Sequence, residues 1–296
     1  MMNLEPVIKW SGSKRSQAAE IIRRFPREID TYYEPFCGGA SVLRRLLMTQ
    51  SVHVNRYVCS DKNWDLIELW KYIKLEPDYL AHGYRGMWLQ LNKDDNLDRK
   101  KKYFAEKREE FNEIRNPDIF LFLMRTTTNG MPRYNARGDF NNSFHVTRNG
   151  IEPSRMDEIL HAWSVALNHH KVEFVCRSYD DISFKPTAND FVYCDPPYGA
   201  TKGMYYGGID TKQFFAWMRS LKCKWALSFD GKAGGEDLTY DVPKDLYVRH
   251  EYLASGNSSF RRVIGKNRHA DVFESLYLNY APVIDERKRT QEELGL

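Results

Sequence analysis

Phe191-Val192-Tyr193-Cys194-Asp195-Pro196-Pro197-Tyr198 joins an apolar run to an acid, two prolines and an aromatic ring. A short continuous apolar run bounded by prolines predicts a strand buried on both faces, the kind found in parallel α/β sheets. Open sheets of that kind keep their chemistry at the carboxyl ends of the strands, which is where Asp195 falls. The residues after the strand suit the capture of an exocyclic amine on a flat base. Asp195 accepts one N–H. The prolines stiffen the loop, supply no backbone donors, and leave the Pro196 carbonyl to accept the other, while Tyr198 offers a ring for stacking. A proline-rich surface turn fits the tetrapeptide equally well, so other segments have to decide.

Three of them lie upstream: Lys9-Trp10-Ser11-Gly12-Ser13-Lys14, Tyr33-Glu34-Pro35-Phe36-Cys37-Gly38-Gly39-Ala40-Ser41, and Val58-Cys59-Ser60-Asp61-Lys62-Asn63. Together with residues 125–140 (RTTTNGMPRYNARGDF) and 172–181 (VEFVCRSYDD), in this order and spacing, the chain resembles the Dam-like (D12 class) DNA adenine-N6 methyltransferases. The resemblance runs from residue 8 to about residue 200. It implies S-adenosylmethionine as cofactor, double-stranded DNA as partner, and base flipping, because N6 is engaged in pairing inside the duplex.

The 296 residues suffice for a sizeable core, and 42% hydrophobic with 28% charged residues is a globular composition. No apolar stretch approaches membrane-spanning length, and the start MMNLEPVIKW lacks a basic-then-apolar leader pattern; a cytoplasmic location with the DNA is expected. Lys and Arg number 44 against 40 acids, an excess that suits a polyanion without requiring one. The five cysteines are scattered singly, which argues against a disulfide framework and a zinc site. No metal is expected, and His169-His170 reads as the end of a helix. The oligomeric state is not fixed by the sequence.

Strands alternating with helices predict an α/β fold with a doubly wound, mostly parallel sheet. Helices are expected over 16–25, after Ala40, over 65–75, 98–115, 153–169 and 211–221. Strands are expected into Glu34, over 57–61, 172–176, 191–194, 225–229, 246–252 and 272–280. The texture change near residue 76 divides the chain into a catalytic domain of residues 1–75 and 153–284 and an insert of residues 76–152, with a loose charged tail over 285–296. The resemblance makes the first a Rossmann-like methyltransferase fold with an antiparallel edge, and the second a helical and β-hairpin subdomain that recognises DNA.

The segment Glu34-Pro35-Phe36-Cys37-Gly38-Gly39 has small residues where a backbone must approach a ligand, yet it is no dinucleotide fingerprint. Asp61, ending the next strand, is placed to accept hydrogen bonds from ribose hydroxyls; a helix N-cap is its alternative role. The resemblance assigns Trp10 to the methionine moiety or the sulfonium, Lys14 to the cofactor carboxylate or a base edge, and Tyr179 and Asp180 to the adenine region. The expected cofactor set is therefore Trp10, Lys14, Glu34, Phe36, Gly38, Asp61, Tyr179, Asp180 and Asp195, with Asp195, Pro196 and Tyr198 catalytic.

Residues 125–148 carry four arginines against one aspartate, with turn signals at Asn129-Gly130 and Arg137-Gly138. A ribbon of this kind fits a major groove, where Arg reads guanine and Asn reads adenine. The resemblance to GATC-methylating enzymes singles out Arg125, Asn129, Met131, Arg133, Asn135 and Arg137 as DNA-binding, and departs at Thr128, Met131 and Ser143, so the recognition sequence stays open. The rival readings are a protein-glutamine methyltransferase, whose loop begins with Asn, an inactive DNA-binding regulator, and, least, a cytosine-N4 enzyme. A role in restriction-modification, an orphan role and a phage role are alike compatible with the sequence.

Overall fold

The protein is described from a computed structural model covering residues 4–128, 130, 132–197, 209–233, 236–255 and 272–283. Tyr198, Asn129, Met131 and the charged tail lie outside the described residues.

At the centre lies β4 (Phe191–Cys194), buried at every position. It pairs in parallel with β1 (Glu28–Glu34) on one side and β5 (Lys224–Ala233) on the other. β2 (His53–Asp61) and β3 (Glu173–Cys176) extend the sheet beyond β1, again in parallel. Beyond β5 come β8 (Val272–Leu278) and β7 (Arg249–Ser255), both joined by antiparallel pairing, while the short β6 (Glu236–Asp237) pairs off β5. The order β3-β2-β1-β4-β5-β8-β7 reverses direction between β1 and β4. This is the doubly wound α/β architecture, and its crevice opens at the carboxyl ends of those two strands.

Around the sheet stand α1 (Ala18–Ile22), α2 (Ser41–Leu47), α3 (Trp64–Leu75), α7 (Pro153–His169) and α8 (Thr211–Ser220). Asn63, Glu152 and Asp210 accept backbone N–H bonds at the starts of α3, α7 and α8. The first helix is shorter than its periodicity predicts. Pro26 disfavours helical geometry at Phe25, which turns inward against Phe191 at 4.5 Å. The last β7 segment also starts later than expected, because Leu246 closes a turn onto Pro243.

Residues 77–126 form α4 (Pro77–Leu91), α5 (Leu97–Ile114) and α6 (Pro117–Thr126). α6 is buried almost all round and is covered by α3, α4 and α5. A helix whose middle, Ile119–Met124, is apolar on every face is stable in water only when so enclosed. Its core is continuous with that of the sheet through Trp70, which packs against Trp163 and stacks on Phe174.

Candidate active site

Asp195 and Pro196 leave the end of β4, and Glu34-Pro35-Phe36 leaves the end of β1 beside them. The glycine pair is held under an indole. Gly38 has φ +45°, and a Cβ there would lie 2.6 Å from Trp10 Nε1; one on Gly39 would lie 2.6 Å from Trp10 Cβ. Only glycine tolerates both the conformation and the contact. The Gly38 carbonyl accepts from Trp70 Nε1 at 3.0 Å, which fixes the loop to α3.

Asp61, at the end of β2, accepts the Gly38 N–H at 3.2 Å and the Asn63 N–H at 3.0 Å. Asn63, whose side chain accepts from Leu66 N, is the cap of α3, so the helix-cap role belongs to the neighbour. Burial raises the Asp61 pKa, against the pull of those backbone donors. A half-buried carboxylate with acceptor capacity beyond two backbone donors is suited to hydroxyl ligands.

Lys14 is buried, with Nζ 2.9 Å from Asp195 Oδ1 and 3.1 Å from Glu274 Oε2. It also donates to the Gly12 carbonyl. Desolvation works against the ammonium, but the charges of Asp195 and Glu274 outweigh it and hold its pKa above the ordinary value. Glu34 lies just beneath, 3% exposed, accepting from Tyr32 Oη at 2.8 Å. Burial, with the charge of Asp195 adding to it, pushes its carboxyl up to about 8.

An aromatic wall borders this crevice. Phe36 lies 5.5 Å from Tyr179, and Tyr179 is edge-on to Phe214 and Trp217. Asp180 accepts from Gln213 Nε2 at 2.6 Å. Trp10, Lys14, Glu34, Phe36, Gly38, Asp61 and Asp195 thus converge on the strand ends, with Tyr179 and Asp180 at the edge facing α8.

The arginine-rich segment folds back on itself, but as single bridges, Thr127 with Phe144 and Tyr134 with Phe140, rather than as a regular hairpin. Side chains take the place of ladder bonds: Asn135 Oδ1 accepts from Arg137 N and Asp139 N, and Asn142 Oδ1 accepts from Arg133 N. Arg133 and Arg137 are exposed, Arg137 pairing with Asp139. Arg125 is placed differently from its expected DNA-facing position. It is 8% exposed on α6 and donates to the Val7 carbonyl at 3.1 Å; burial lowers its pKa to about 10. Asn135 likewise spends its side chain on the turn.

Two contributors were not singled out from the sequence. Lys9 is exposed, and its pKa is lowered by partial burial and then by Arg148 and Arg125; a Cβ on Gly130 would touch its backbone at 2.9 Å. A lone lysine before the tryptophan carried no signal of that proximity. Glu274 is the other, an acid that with Ser275 interrupts an otherwise hydrophobic strand, Val272–Leu278.

A family model described as D12 class N6 adenine-specific DNA methyltransferase matches residues 10–226. The chain belongs to this class. The reaction class is accordingly methyl transfer to adenine N6 of DNA, which sets aside the protein-glutamine and cytosine readings. Relatives of this D12 methyltransferase include the type II methyltransferase M.MjaIII of Methanocaldococcus jannaschii, 30% identical over 67% of this chain and 70% of its own. The DNA adenine methylase of Serratia marcescens is 35% identical over 64% and 66% of the two chains, and that of Escherichia coli K12 32% identical over 64% of each. The alignment therefore spans just under two thirds of the two methylases' length. Among solved structures, the rRNA methyltransferase aviRa of Streptomyces viridochromogenes aligns with 94% of this chain and 90% of its own at 15% identity, with a TM-score of 0.40. Among the described residues no helix is long and apolar enough to cross a membrane, and no group of three His, Cys, Asp or Glu is arranged to hold a metal.

Proposed function

We propose that this D12 methyltransferase transfers the methyl group of S-adenosylmethionine to N6 of an adenine flipped out of a short specific duplex site, with Asp195 and Pro196 holding the amine. The observation that carries the reading is the convergence of Asp195, Lys14 and Asp61 at the switch point of the sheet. The fit to the cofactor rests on the cradle under Trp10, the half-buried Asp61 carboxylate and the Phe36–Tyr179 wall. When bound, S-adenosylmethionine supplies an electrophilic methyl group.

The chain's own residues do the rest by positioning and electrostatics. Asp61 would receive the ribose hydroxyls, Phe36 and Tyr179 would flank the cofactor's adenine, and Trp10 would cover the methionine end. Asp195 accepts one N6–H and the Pro196 carbonyl the other, which aims the nitrogen lone pair and stabilises the positive charge growing on nitrogen as the new bond forms. Tyr198 supplies the stacking ring. Residues 76–152 would form the DNA-recognition part, with Arg133 reading a base and Arg137, Lys9 and Arg148 meeting phosphate; a site resembling GATC is the first candidate.

Long-read modification mapping of DNA from cells expressing the protein tests this reading. N6-methyladenine at one recurrent short motif is expected. DNA without new adenine methylation, in cells holding soluble protein, would overturn it.

A further inference from the structure

Glu274 reaches the catalytic loop from β8, beyond the span that the family model matches. Strand geometry brings it there. In the β5–β8 pair Phe229 faces Ser275 and Lys232 faces Phe273, so Asp230 and Gly231 together oppose Glu274 alone. Two residues against one is a β-bulge, a device that re-aims side chains near active sites. Gly231 makes the close approach possible, because a Cβ there would lie 2.3 Å from the Phe273 carbonyl oxygen and 2.9 Å from Glu274 Cα. On the other side Glu274 is in register with Leu253, whose carbonyl accepts from Gln17 Nε2. The turn carrying Lys14 is therefore tied to the strand neighbouring Glu274.

The result is one buried ammonium between two carboxylates, Asp195 at 2.9 Å and Glu274 at 3.1 Å. A lysine bonded to Asp195 alone would draw its lone pairs away from an incoming amine. A second acid shares that ammonium. It also leaves the cluster with a net negative charge, the sign that favours positive charge developing on N6.

We propose that Glu274 is a positioning residue for methyl transfer: it holds the Lys14 ammonium so that Asp195 remains oriented yet keeps acceptor capacity for the substrate amine. The inference rests on the assignment of Asp195 as the amine acceptor. Glu274 itself touches no reacting atom.

The test is single-turnover methylation of duplex DNA at saturating S-adenosylmethionine, with wild type, Glu274→Gln, Lys14→Met, the double variant and Asp195→Ala. Glu274→Gln is expected to lower the rate about 10- to 100-fold, as for a displaced reacting group, with the S-adenosylhomocysteine dissociation constant kept within about twofold. Because Glu274 acts through Lys14, adding Glu274→Gln to Lys14→Met is expected to lower the rate no further. A wild-type rate for Glu274→Gln, or losses that multiply in the double variant, overturns the inference. Glu274→Asp, which withdraws the carboxylate by one methylene, reads the same rate if the glutamine variant does not fold; it is expected to be slowed, and a wild-type rate overturns the inference equally. Full turnover by Asp195→Ala is a separate outcome, which removes the assignment beneath it.

Discussion

Asp61 is a half-buried carboxylate kept ready by two backbone donors. Replacing it by Ala is expected to weaken S-adenosylmethionine binding by about 1.5–3 kcal/mol, the range for charge-assisted hydrogen bonds, as measured by titration calorimetry. An unchanged dissociation constant would return Asp61 to a purely structural role in the Gly38 loop. Glu34 makes a pH-dependent contribution of opposite character. Its carboxyl is pushed up to about 8 from an ordinary 4.5 by burial, so folding favours the protonated form. That stability is fully present below the ordinary value and is lost as pH rises through about 8. Denaturant unfolding across this window is expected to show declining stability in the wild type and a flatter profile in Glu34→Gln, which still accepts from Tyr32. Parallel profiles would contradict it. Arg133 and Arg137 separate by their readout: Arg133→Ala is expected to relax discrimination at one base pair by roughly 1–3 kcal/mol, whereas Arg137→Ala weakens all duplexes alike and flattens the salt dependence. Competition binding with singly substituted duplexes at two salt concentrations distinguishes them, and a uniform loss for Arg133→Ala would make it a phosphate contact.

At the scale of elements, the arginine-rich ribbon is anchored by Tyr134 rather than by a strand ladder. Its hydroxyl donates to Asp65 Oδ2 at 2.7 Å at the start of α3, where Arg115 also pairs with Asp65. Phe140 from the same ribbon packs edge-on against Phe111 and Phe120, which stack on each other. Tyr134→Phe is expected to destabilise the protein by about 1–3 kcal/mol and to blur site discrimination, because the lost bond is part-buried and ties the ribbon to α3. A ratio of cognate to single-mismatch methylation unchanged from wild type in the variant would leave Tyr134 without this role. The ribbon also shows where sequence reading stops. Its turn at Arg137-Gly138 was legible from residue type, but the substitution of side-chain acceptors for ladder bonds, with Asn135 spent on that turn, was not. Arg125 read as a surface cation, since its burial follows from α6 being enclosed on every side, which only the tertiary packing reveals. β4 was legible because a central parallel strand is apolar at each position, and the Gly38-Gly39 pair because close approach demands it; the indole that makes the approach comes from a distant segment.

Over the whole molecule, the strand order follows from alternating elements only as a class. The switch point, the antiparallel insertion of β8 between β5 and β7 and the bulge opposite Glu274 are long-range pairings that no local pattern encodes. The motifs nonetheless located the crevice, because in a doubly wound sheet every strand before the reversal and after it delivers its carboxyl end to one edge. Asp61, Glu34 and Asp195 leave β2, β1 and β4 there, and Lys14 is drawn in by charge. The decisive measurement is nucleoside mass spectrometry of duplex DNA incubated with labelled S-adenosylmethionine and either wild type or folded Asp195→Ala. Label in N6-methyladenine from the wild type alone is the predicted result; label in another base, or an equal yield from Asp195→Ala, would contradict the mechanism.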